Sequence, residues 1–310
     1  MAAIDVSRET AGLALPAEVS QEIWSEVQDA SVVMNLARKV RLPGTGVTYQ
    51  QILTDSVPQF VGETERKPVS NPTFAKKVMQ PHKLAVVQTY SDEFRRDLPG
   101  LFGALISRLP GTLASAFDAA VLHGTGAPSA NFDTLAGVSG TSILNATPGS
   151  LDAYQGFLTS LGMVPNLTDW ALSPQGEIVA LGNRDTSGMP ILANSPTDDG
   201  SIGRMLGRRV FRSENVYEPG VAGKAASGDD PKVDPVLATL GFGGDWRKAY
   251  WGQVEAVSID VSDNPVYTND GELISAGWQD NMISVRAEIF VGFIADTDAF
   301  VRLTGAAPTA

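Results

Sequence analysis

The clearest alternation of apolar and polar positions lies near the C-terminus of the chain. Apolar residues occupy every second position there, namely Ile283, Val285, Ala287, Ile289, Val291 and Phe293. Between them stand Ser284, Arg286, Glu288 and Gly292. A period of two is typical of a strand with one buried face. We predict that the segment VEAVSIDV is its partner, joined to it through a loop that contains the turn signal Asn269-Asp270-Gly271.

A helical period of three to four residues runs from about Leu98 to Leu122. Its apolar positions are Leu98, Leu101, Phe102, Leu105, Leu109, Leu113, Phe117 and Ala120. Gly124 follows at the place of a left-handed C-terminal cap. The pattern predicts a helix that, if continuous, is about 37 Å long. The ring of Pro110 would collide with the carbonyl group of Ile106 and remove one backbone hydrogen bond, so we expect a kink or a break there.

The segment VGETERKPVSNPTF (Val61 to Phe74) places four charged residues between two extended arms: Glu63, Glu65, Arg66 and Lys67. The arms, VTYQQILTDSVPQFV and TFAKKVM, are rich in β-branched and aromatic residues, and their prolines exclude a central position in a sheet. We predict a long, exposed hairpin with little core of its own. An isolated charged loop usually faces water. The alternative is that the four charges contact another subunit.

Other segments mix helices and strands. PAEVSQEIWSEVQDA predicts a short amphipathic helix that starts at Pro16, and SLDAYQGFLTSLG predicts a helix that opens at Ser150. WALSP reads as a short strand, and Ser173 is suited to cap a helix whose first residue is Pro174. The segment EPGVAGKAASGDDPKVDP predicts a surface loop. Together these patterns predict an α+β protein.

The formal net charge of the 310-residue chain is -12, and it is unevenly distributed. Residues 1–100 hold 11 Lys/Arg and 12 Asp/Glu, which gives -1, and the remaining 12 Lys/Arg and 23 Asp/Glu give -11. Such a surface repels phosphate backbones, so a dedicated nucleic-acid binder is not expected. RMLGRRVFR is an exception, with Arg204, Arg208, Arg209 and Arg212 close together. A cluster of this kind on a strand is better explained as a polar face or a subunit contact.

Cysteine is absent, which excludes disulfides and thiolate metal sites and fits a reducing compartment. The sequence indicates neither export nor insertion into a membrane, so we expect neither.

Catalytic motifs are also missing from the sequence. His123, in LHGTG, resembles the glycine-rich strip of some esterase oxyanion holes, but there is no G-x-S-x-G nucleophile elbow. A histidine in the last turn of a helix is better explained by the helix dipole, and His82 beside Pro81 reads as a loop residue. There is no phosphate-binding loop or dinucleotide fingerprint, and the acidic pairs lie in turn sequences. We therefore expect no enzyme, no cofactor and no metal site.

The order and spacing of these segments resemble the major capsid protein of tailed bacteriophages, which has the Hong Kong 97-type fold. The resemblance covers about residues 16 to 305. It is carried by the N-terminal amphipathic arm, by the charged hairpin and by KLAVVQTYSDEFRRD, FDAAVLHGTG, WALSPQGEIVALGNRDTSGMPIL, MLGRRVFRSENV, GDWRKAYWGQVEAVSID and ISVRAEIFVGFIADTDAFVRL. No single motif is diagnostic of the family, and the resemblance depends on the order and spacing of all of them.

The resemblance implies a shell protein in four parts. These are an N-terminal arm (1–43), an extended loop (44–80), a peripheral domain (81–134 and 245–302) that holds the spine helix 98–122 and the long terminal strands, and an axial domain (135–244). The chain would assemble with itself as hexamers and pentamers into an icosahedral shell that encloses double-stranded DNA. Separate scaffolding, portal and decoration proteins would be its partners, and the shell would assemble in the cytoplasm of a bacterial host before it becomes the virion capsid.

In such a shell the hairpin would lie across a neighbouring subunit. Glu63, Glu65, Arg66 and Lys67 are therefore predicted interface residues, together with Arg204, Arg208, Arg209 and Arg212. About 15 residues precede the first predicted helix, so scaffolding is expected from a separate protein or not at all. Some proteins of this fold link subunits from lysine to asparagine, and Lys67, Lys76 and Lys77 lie in the corresponding loop, but no acceptor asparagine matches by motif.

Two alternatives stay open at this point. An encapsulin-type bacterial compartment has the same fold but holds protein cargo rather than DNA. An esterase-like hydrolase is an alternative of another class, and the missing nucleophile elbow opposes it.

Overall fold

The structure is a computed structural model that describes residues 31–54, 56–63, 66–97, 99–128, 131–143, 152–182, 203–222, 236–254, 257–262, 266–269, 272–276 and 281–305. The helix predicted from Pro16 and the helix start predicted at Ser150 lie outside these residues, as do Glu65 and Leu98. The helices are α1 (Val32–Leu36), α2 (Asp92–Asp97), α3 (Pro99–Ser107), α4 (Leu109–Leu122), α5 (Asp152–Met163) and α6 (Pro174–Leu181). The predicted α+β class is confirmed.

The strands form two larger sheets and two hairpins. They are β1 (Arg38–Arg41), β2 (Val47–Thr54), β3 (Thr73–Met79), β4 (His82–Ser91), β5 (Gly140–Ser142), β6 (Asp169–Leu172), β7 (Arg204–Met205), β8 (Arg208–Arg212), β9 (Thr239–Gly244), β10 (Ala249–Gln253), β11 (Ser258–Ser262), β12 (Val266–Asn269), β13 (Glu272–Ala276), β14 (Met282–Ala295) and β15 (Phe300–Thr304).

The first sheet is built around β14, the strand that the alternating pattern predicts. One edge of β14 pairs with β4 over ten residues, from Met282 opposite Ser91 to Val291 opposite His82. The other edge pairs with β11 and then β10, all antiparallel, and β1 lies parallel to β10. The predicted pairing of the terminal strand with VSIDV is confirmed. His82 is the first residue of β4, so the prediction that it is a loop residue is wrong: its ring packs edge-on against Phe132, 5.9 Å away, which holds it in the strand.

The second sheet has the order β5-β15-β9-β6-β8-β7. Its centre is packed closely because β9 is rich in glycine: a Cβ at Gly243 would lie 2.5 Å from the ring of Trp170, which is fully buried. WALSP is strand β6, as predicted. Ser173 caps α6 by accepting a hydrogen bond from the backbone nitrogen of Gly176 at 3.0 Å, as predicted. A short turn connects β14 to β15, so the C-terminal segment passes directly from the first sheet to the second.

The long helical pattern forms two helices rather than one. α3 ends at Ser107 and α4 begins at Leu109, so the predicted break is confirmed, but it lies at Arg108. Pro110 then falls in the first turn of α4, where a missing N–H costs no helical hydrogen bond. The buried face of α4 packs on the first sheet, with the rings of Phe117 and Phe293 6.4 Å apart. Among the described residues, Leu105–Leu122 is long and apolar enough to cross a membrane by length and composition, a test that core helices also pass.

A buried carboxylate joins the N-terminal segment to α4. Asp118, which is fully buried, accepts hydrogen bonds from the hydroxyl of Ser31 (2.6 Å) and from the backbone nitrogens of Val32 (3.0 Å) and Val33 (3.2 Å). The amide of Asn215 donates a fourth, at 3.0 Å. Burial raises the pKa of Asp118, and the four donated hydrogen bonds offset part of that rise. One side chain thus ties together α1, α4 and the turn that follows β8.

Two hairpins project from this framework. β2 and β3 pair antiparallel from Val47 opposite Met79, and this is the long hairpin that the sequence predicts. β12 and β13 form a smaller one, with Asn269 opposite Glu272 at the predicted turn signal. β1 comes from the predicted arm and joins the first sheet, while β15 comes from the end of the predicted peripheral domain and joins the second. The domain boundaries given above stay predictions.

Candidate assembly surface

The base of the long hairpin is tied to the first sheet by a lysine. Lys77 on β3 donates from Nζ to the carboxylate of Asp133 at 2.8 Å and to the backbone oxygen of Ala295 at 2.6 Å. Asp133 also accepts from the backbone nitrogen of Ala295, at 3.0 Å. Three groups therefore hold the outgoing strand of the hairpin against the end of β14. Of the three lysines in this loop, Lys77 is the one engaged with its own chain in this way.

Apolar packing supports the same base. Met79 is fully buried, and it fits here because two neighbouring positions are glycines: a Cβ at Gly292 would lie 2.9 Å from its Cγ, and one at Gly252 would lie 3.1 Å from its Cε. The ring of Tyr49 on β2 stacks on Tyr250 with 5.4 Å between centroids. Both strands of the hairpin thus have contacts where they leave the sheet, and these contacts fix the direction in which the hairpin projects.

The distal part of the hairpin exposes large apolar side chains. Phe60 is 108% exposed and Val69 is 86% exposed, and Phe74 and Val57 follow with 66% and 63%. With Ile178 on α6, these are the most exposed large apolar side chains in the part of the chain that the structure describes. Exposed apolar groups concentrated on one projection mark an interaction site rather than an ordinary soluble surface. We refer to residues 56–63 and 66–72 as the finger.

The charged residues of the finger are also exposed. Glu63, Arg66 and Lys67 form no ion pair with any other described residue, and Glu65 lies outside the described residues. Their role as interface residues therefore stays a prediction. The apolar side chains of the finger were not singled out by the sequence reasoning, which concentrated on its charges. The sequence does carry a signal for this, because Phe60 stands two positions after Pro58 in a charged, proline-containing stretch that cannot form the centre of a sheet.

The structure divides the predicted arginine cluster into two pairs. Arg209 contacts the carboxylate of Asp169 at 2.6 Å, and Arg212 contacts that of Glu177 at 3.2 Å. Both carboxylates are almost completely buried, while both arginines remain about half exposed or more.

Arg204 and Arg208 lie on the two-residue β7 and at the start of β8, at the edge of the second sheet, without an ion pair to a described residue. Two of the four arginines thus contact buried carboxylates of their own chain, and the other two make no ion pair within the described ranges. Their use at an interface stays a prediction.

Both histidines contact residues of the framework. His123 follows the last residue of α4, and Gly124 after it has a φ of +74°, as a C-terminal cap requires. The ring contacts the backbone oxygen of Asn215 at 3.2 Å through Nε2 and the carboxylate of Glu218 at 3.1 Å through Nδ1. These contacts attach the end of α4 to the segment that follows β8. Within the described residues there is no group of three or more metal-ligating side chains.

The described architecture combines two sheets, the consecutive helices α3 and α4, and a projecting hairpin. The Phage capsid family model matches residues 11–151. The probable major capsid protein gp17 of Mycobacterium phage D29 is 28% identical over 306 residues, covering 94% of this chain and 89% of that protein. A solved structure from Mycobacterium phage Ogopogo matches with a TM-score of 0.69 and 20% identity, over 89% of this chain and 92% of that one.

A third match is the capsid of an empty GTA particle, with a TM-score of 0.61 and 15% identity over 90% of both chains. The structural matches share the fold with this chain. The family model, the similarity to gp17 over most of both chains and the shared fold all make this chain similar to phage capsid proteins, which is the resemblance that the sequence predicted. These matches are to structural capsid proteins of phages and of a GTA particle, and they favour neither the esterase nor the encapsulin alternative.

Proposed function

We propose that this chain is the major capsid protein of a tailed bacteriophage and that it assembles with itself into a closed shell around double-stranded DNA. The observation that carries the proposal is the finger, which projects Phe60 and Val69 fully into solvent from a base that is well packed. A monomer has no use for such a projection, whereas a neighbouring subunit can cover it. The similarity to the phage capsid family and to gp17 supports the same conclusion.

The shell is built from hexamers and pentamers in an icosahedral lattice, and scaffolding, portal and decoration proteins are its further partners. It assembles in the bacterial cytoplasm and becomes part of the virion. The protein acts as a structural component, with no catalytic step and no cofactor. Its subunits contact each other through the finger, through Glu63, Glu65, Arg66 and Lys67, and through Arg204 and Arg208 at the sheet edge.

The inner wall of the shell is acidic. The charge of -11 on residues 101–310 is the basis for this inference, since a wall that carries the same sign as DNA holds the genome without binding it tightly. A structure of filled particles is expected to place the segment from Arg204 to Arg212 away from the DNA. Arginines of this segment in contact with phosphate groups would contradict the inference.

Electron microscopy of the purified full-length chain tests the main proposal. The protein is incubated over a range of ionic strengths, with and without the proteins encoded beside it, and particles are counted and sized. Closed shells that contain DNA when isolated from infected cells are the expected result. A compact monomer under every condition by size-exclusion chromatography would overturn the proposal, and shells filled with protein cargo would favour an encapsulin-type compartment instead.

A further inference from the structure

We propose that Phe60 of one copy of this chain docks into an apolar pocket between α4 and β4 of a second copy. The inference rests on the proposed function, because it names the place where the finger of one subunit meets the next. The pocket lies on the helix-facing side of the first sheet and has a volume of about 270 Å³. Phe60 is fully exposed, so it does not fill this pocket in its own subunit.

The pocket has the size and the lining that an aromatic ring requires. Phe117 and Phe132 form its aromatic walls, with their centroids 6.4 Å apart and their planes nearly perpendicular. Ala116, Ala119 and Ala120 of α4 leave the space open because their side chains are small. Apolar cavities of about 150 Å³ already accept a benzene ring, so this one has room for a phenylalanine side chain. Aromatic rings gain additional stability from edge-to-face contacts with other rings.

A polar atom in the pocket can pair with the finger. The Nε2 atom of His82, which lines the pocket, is buried and has no hydrogen-bond partner among the described residues, so it can bond to an incoming group. Lys83 also lies at the pocket, but it contacts Glu288 of its own subunit at 2.6 Å. Glu63 follows Phe60 by three positions on the finger and is exposed, so its carboxylate is a candidate partner for His82 when the ring of Phe60 fills the pocket.

The neighbouring strand edge offers the finger a second contact. Among the described strands β4 pairs with β14 alone, so its other edge carries free backbone donors and acceptors beside the pocket. Residues 56–63 belong to no described strand. A segment of this kind can add to an open sheet edge while a side chain fills an adjacent pocket, which is a common mode of peptide recognition. The finger of a second copy supplies both features at once.

Chemical cross-linking of assembled particles tests the docking. Because the chain contains no cysteine, a thiol reagent reacts only with the cysteines that are introduced. Phe60→Cys is combined with Ala116→Cys, which lines the pocket, and the matched control combines Phe60→Cys with Ser115→Cys. Ser115 is the preceding residue on α4, exposed, and its Oγ lies 3.0 Å from Asn215 and not in the pocket. A short bifunctional thiol reagent is expected to link subunits at least fivefold more in the Ala116 pair. Equal linking of both pairs in intact particles would overturn the proposal.

A double-mutant cycle gives an independent measure. Phe60→Ala removes the anchor, and Ala116→Phe fills the pocket from within, so each is expected to raise the protein concentration needed for particle formation about tenfold or more. If Phe60 occupies the pocket, adding Ala116→Phe to the Phe60→Ala variant should raise the required protein concentration little further, because the contact is already lost. If the double variant instead raises that concentration by the product of the two single effects, the docking is contradicted. Circular dichroism checks the fold, and if Ala116→Phe does not fold, the cross-linking result and Phe60→Ala decide.

The outcomes separate this inference from the proposed function. Wild-type protein that forms no particles under any condition would count against the proposed function. Normal wild-type particles, together with Phe60→Ala particles that assemble at the same concentration, would overturn the docking site and leave the proposed function intact.

Discussion

The hydroxyl of Ser31 lies 2.6 Å from the carboxylate of Asp118, 87 residues further along the chain. Ser31 also accepts a hydrogen bond from the backbone nitrogen of Met34 at 3.1 Å, so one hydroxyl caps α1 and donates to α4. Both residues are fully buried. A buried polar junction of this kind specifies one arrangement of the segments that it joins, because any other arrangement leaves the carboxylate without partners. The N-terminal segment is therefore positioned by polar geometry as well as by apolar packing.

Replacing Ser31 with alanine should destabilise the folded subunit. The change removes the cap of α1 and one donor to Asp118, and we expect the free energy of unfolding to fall by about 1–3 kcal/mol. Urea denaturation of the unassembled protein measures this. The matched control is Thr112→Ala on α4, because Thr112 is exposed and its hydroxyl contacts the backbone oxygen of Arg108 and not the junction. It should change the free energy of unfolding by less than about 0.5 kcal/mol. Equal effects of the two substitutions would contradict the role of the junction.

Asp118 and Asp245 should give stability opposite dependences on pH. Burial raises the pKa of Asp118, so its contribution is fully present below the ordinary value of about 4 and is lost as pH rises through the raised pKa. A hydrogen bond from Arg247 lowers the pKa of Asp245, so its contribution is present above about 4 and is lost as pH falls through the lowered pKa. The stability of wild type relative to Asp118→Asn should therefore decrease with rising pH. Relative to Asp245→Asn it should increase.

Unfolding curves recorded between about pH 3 and pH 7 for the three proteins test both signs. Each asparagine variant serves as the control for the other. Parallel pH profiles for wild type and Asp118→Asn would mean that Asp118 does not titrate differently in the folded state.

Sequence patterns predict the positions of individual helices and strands in this fold better than they predict which strands pair with each other. The alternation around Val285 and Val291 identified β14, and Ser173 with Pro174 identified the start of α6, because both signals arise from neighbouring residues. The ten-residue pairing of β14 with β4 was not predicted, since it joins segments almost 200 positions apart and leaves no local signal. The break at Arg108 was placed two residues late because Pro110 is tolerated in a first turn, so the helix restarts just before it.

The residues of the candidate assembly surface are likewise easier to predict from the sequence than their contacts. The charges of the finger and the arginine cluster are visible in the sequence, but whether an arginine is free depends on distant residues. Arg209 meets Asp169 because β6 and β8 lie parallel in that register. Similarly, the sequence does not distinguish Lys77 from Lys67 and Lys76, because the contact of Lys77 with Asp133 depends on the tertiary fold.

Lys77→Met should loosen the base of the hairpin. The change removes donors to Asp133 and Ala295 and leaves a partly buried carboxylate without its cation, so we expect a loss of about 1–3 kcal/mol of local stability. Amide hydrogen exchange of β2 and β3 should become faster, and particle yield should fall. Lys76→Met is the matched control, because Lys76 is the adjacent residue, is exposed and points to the other face of the strand. Equal exchange rates in the two variants would show that Lys77 does not hold the hairpin.

The arginine cluster should separate into a folding pair and an assembly pair. Arg209→Ala with Arg212→Ala removes the guanidinium groups that contact the buried carboxylates of Asp169 and Glu177, and we expect the subunit to lose about 1–3 kcal/mol of stability. Arg204→Ala with Arg208→Ala should leave the unfolding curve unchanged within about 0.5 kcal/mol and should lower particle yield. Thermal denaturation and light scattering distinguish the two effects. Full assembly of the Arg204 and Arg208 variant would remove these residues from the interface.

Reversing the four charges of the finger should impair assembly without affecting the fold. Glu63, Glu65, Arg66 and Lys67 are changed together to residues of opposite sign, which keeps their summed charge at zero. The tip contributes little to its own domain, so circular dichroism and the unfolding curve should match wild type.

Each charged contact is worth only about 0.2–1 kcal/mol in a solvated setting, but every subunit repeats it, and small losses accumulate over a closed lattice. Rising ionic strength should weaken wild-type assembly in the same direction, because salt screens exposed charges beyond about 10 Å at 0.1 M. A shell held by the apolar contacts of the finger would barely respond to salt, and Phe60→Ala would then have the larger effect. Light scattering of both variants at two ionic strengths compares these contributions directly. Normal particle yield from the folded four-residue variant would show that the charged tip is a solvated loop and not a subunit contact.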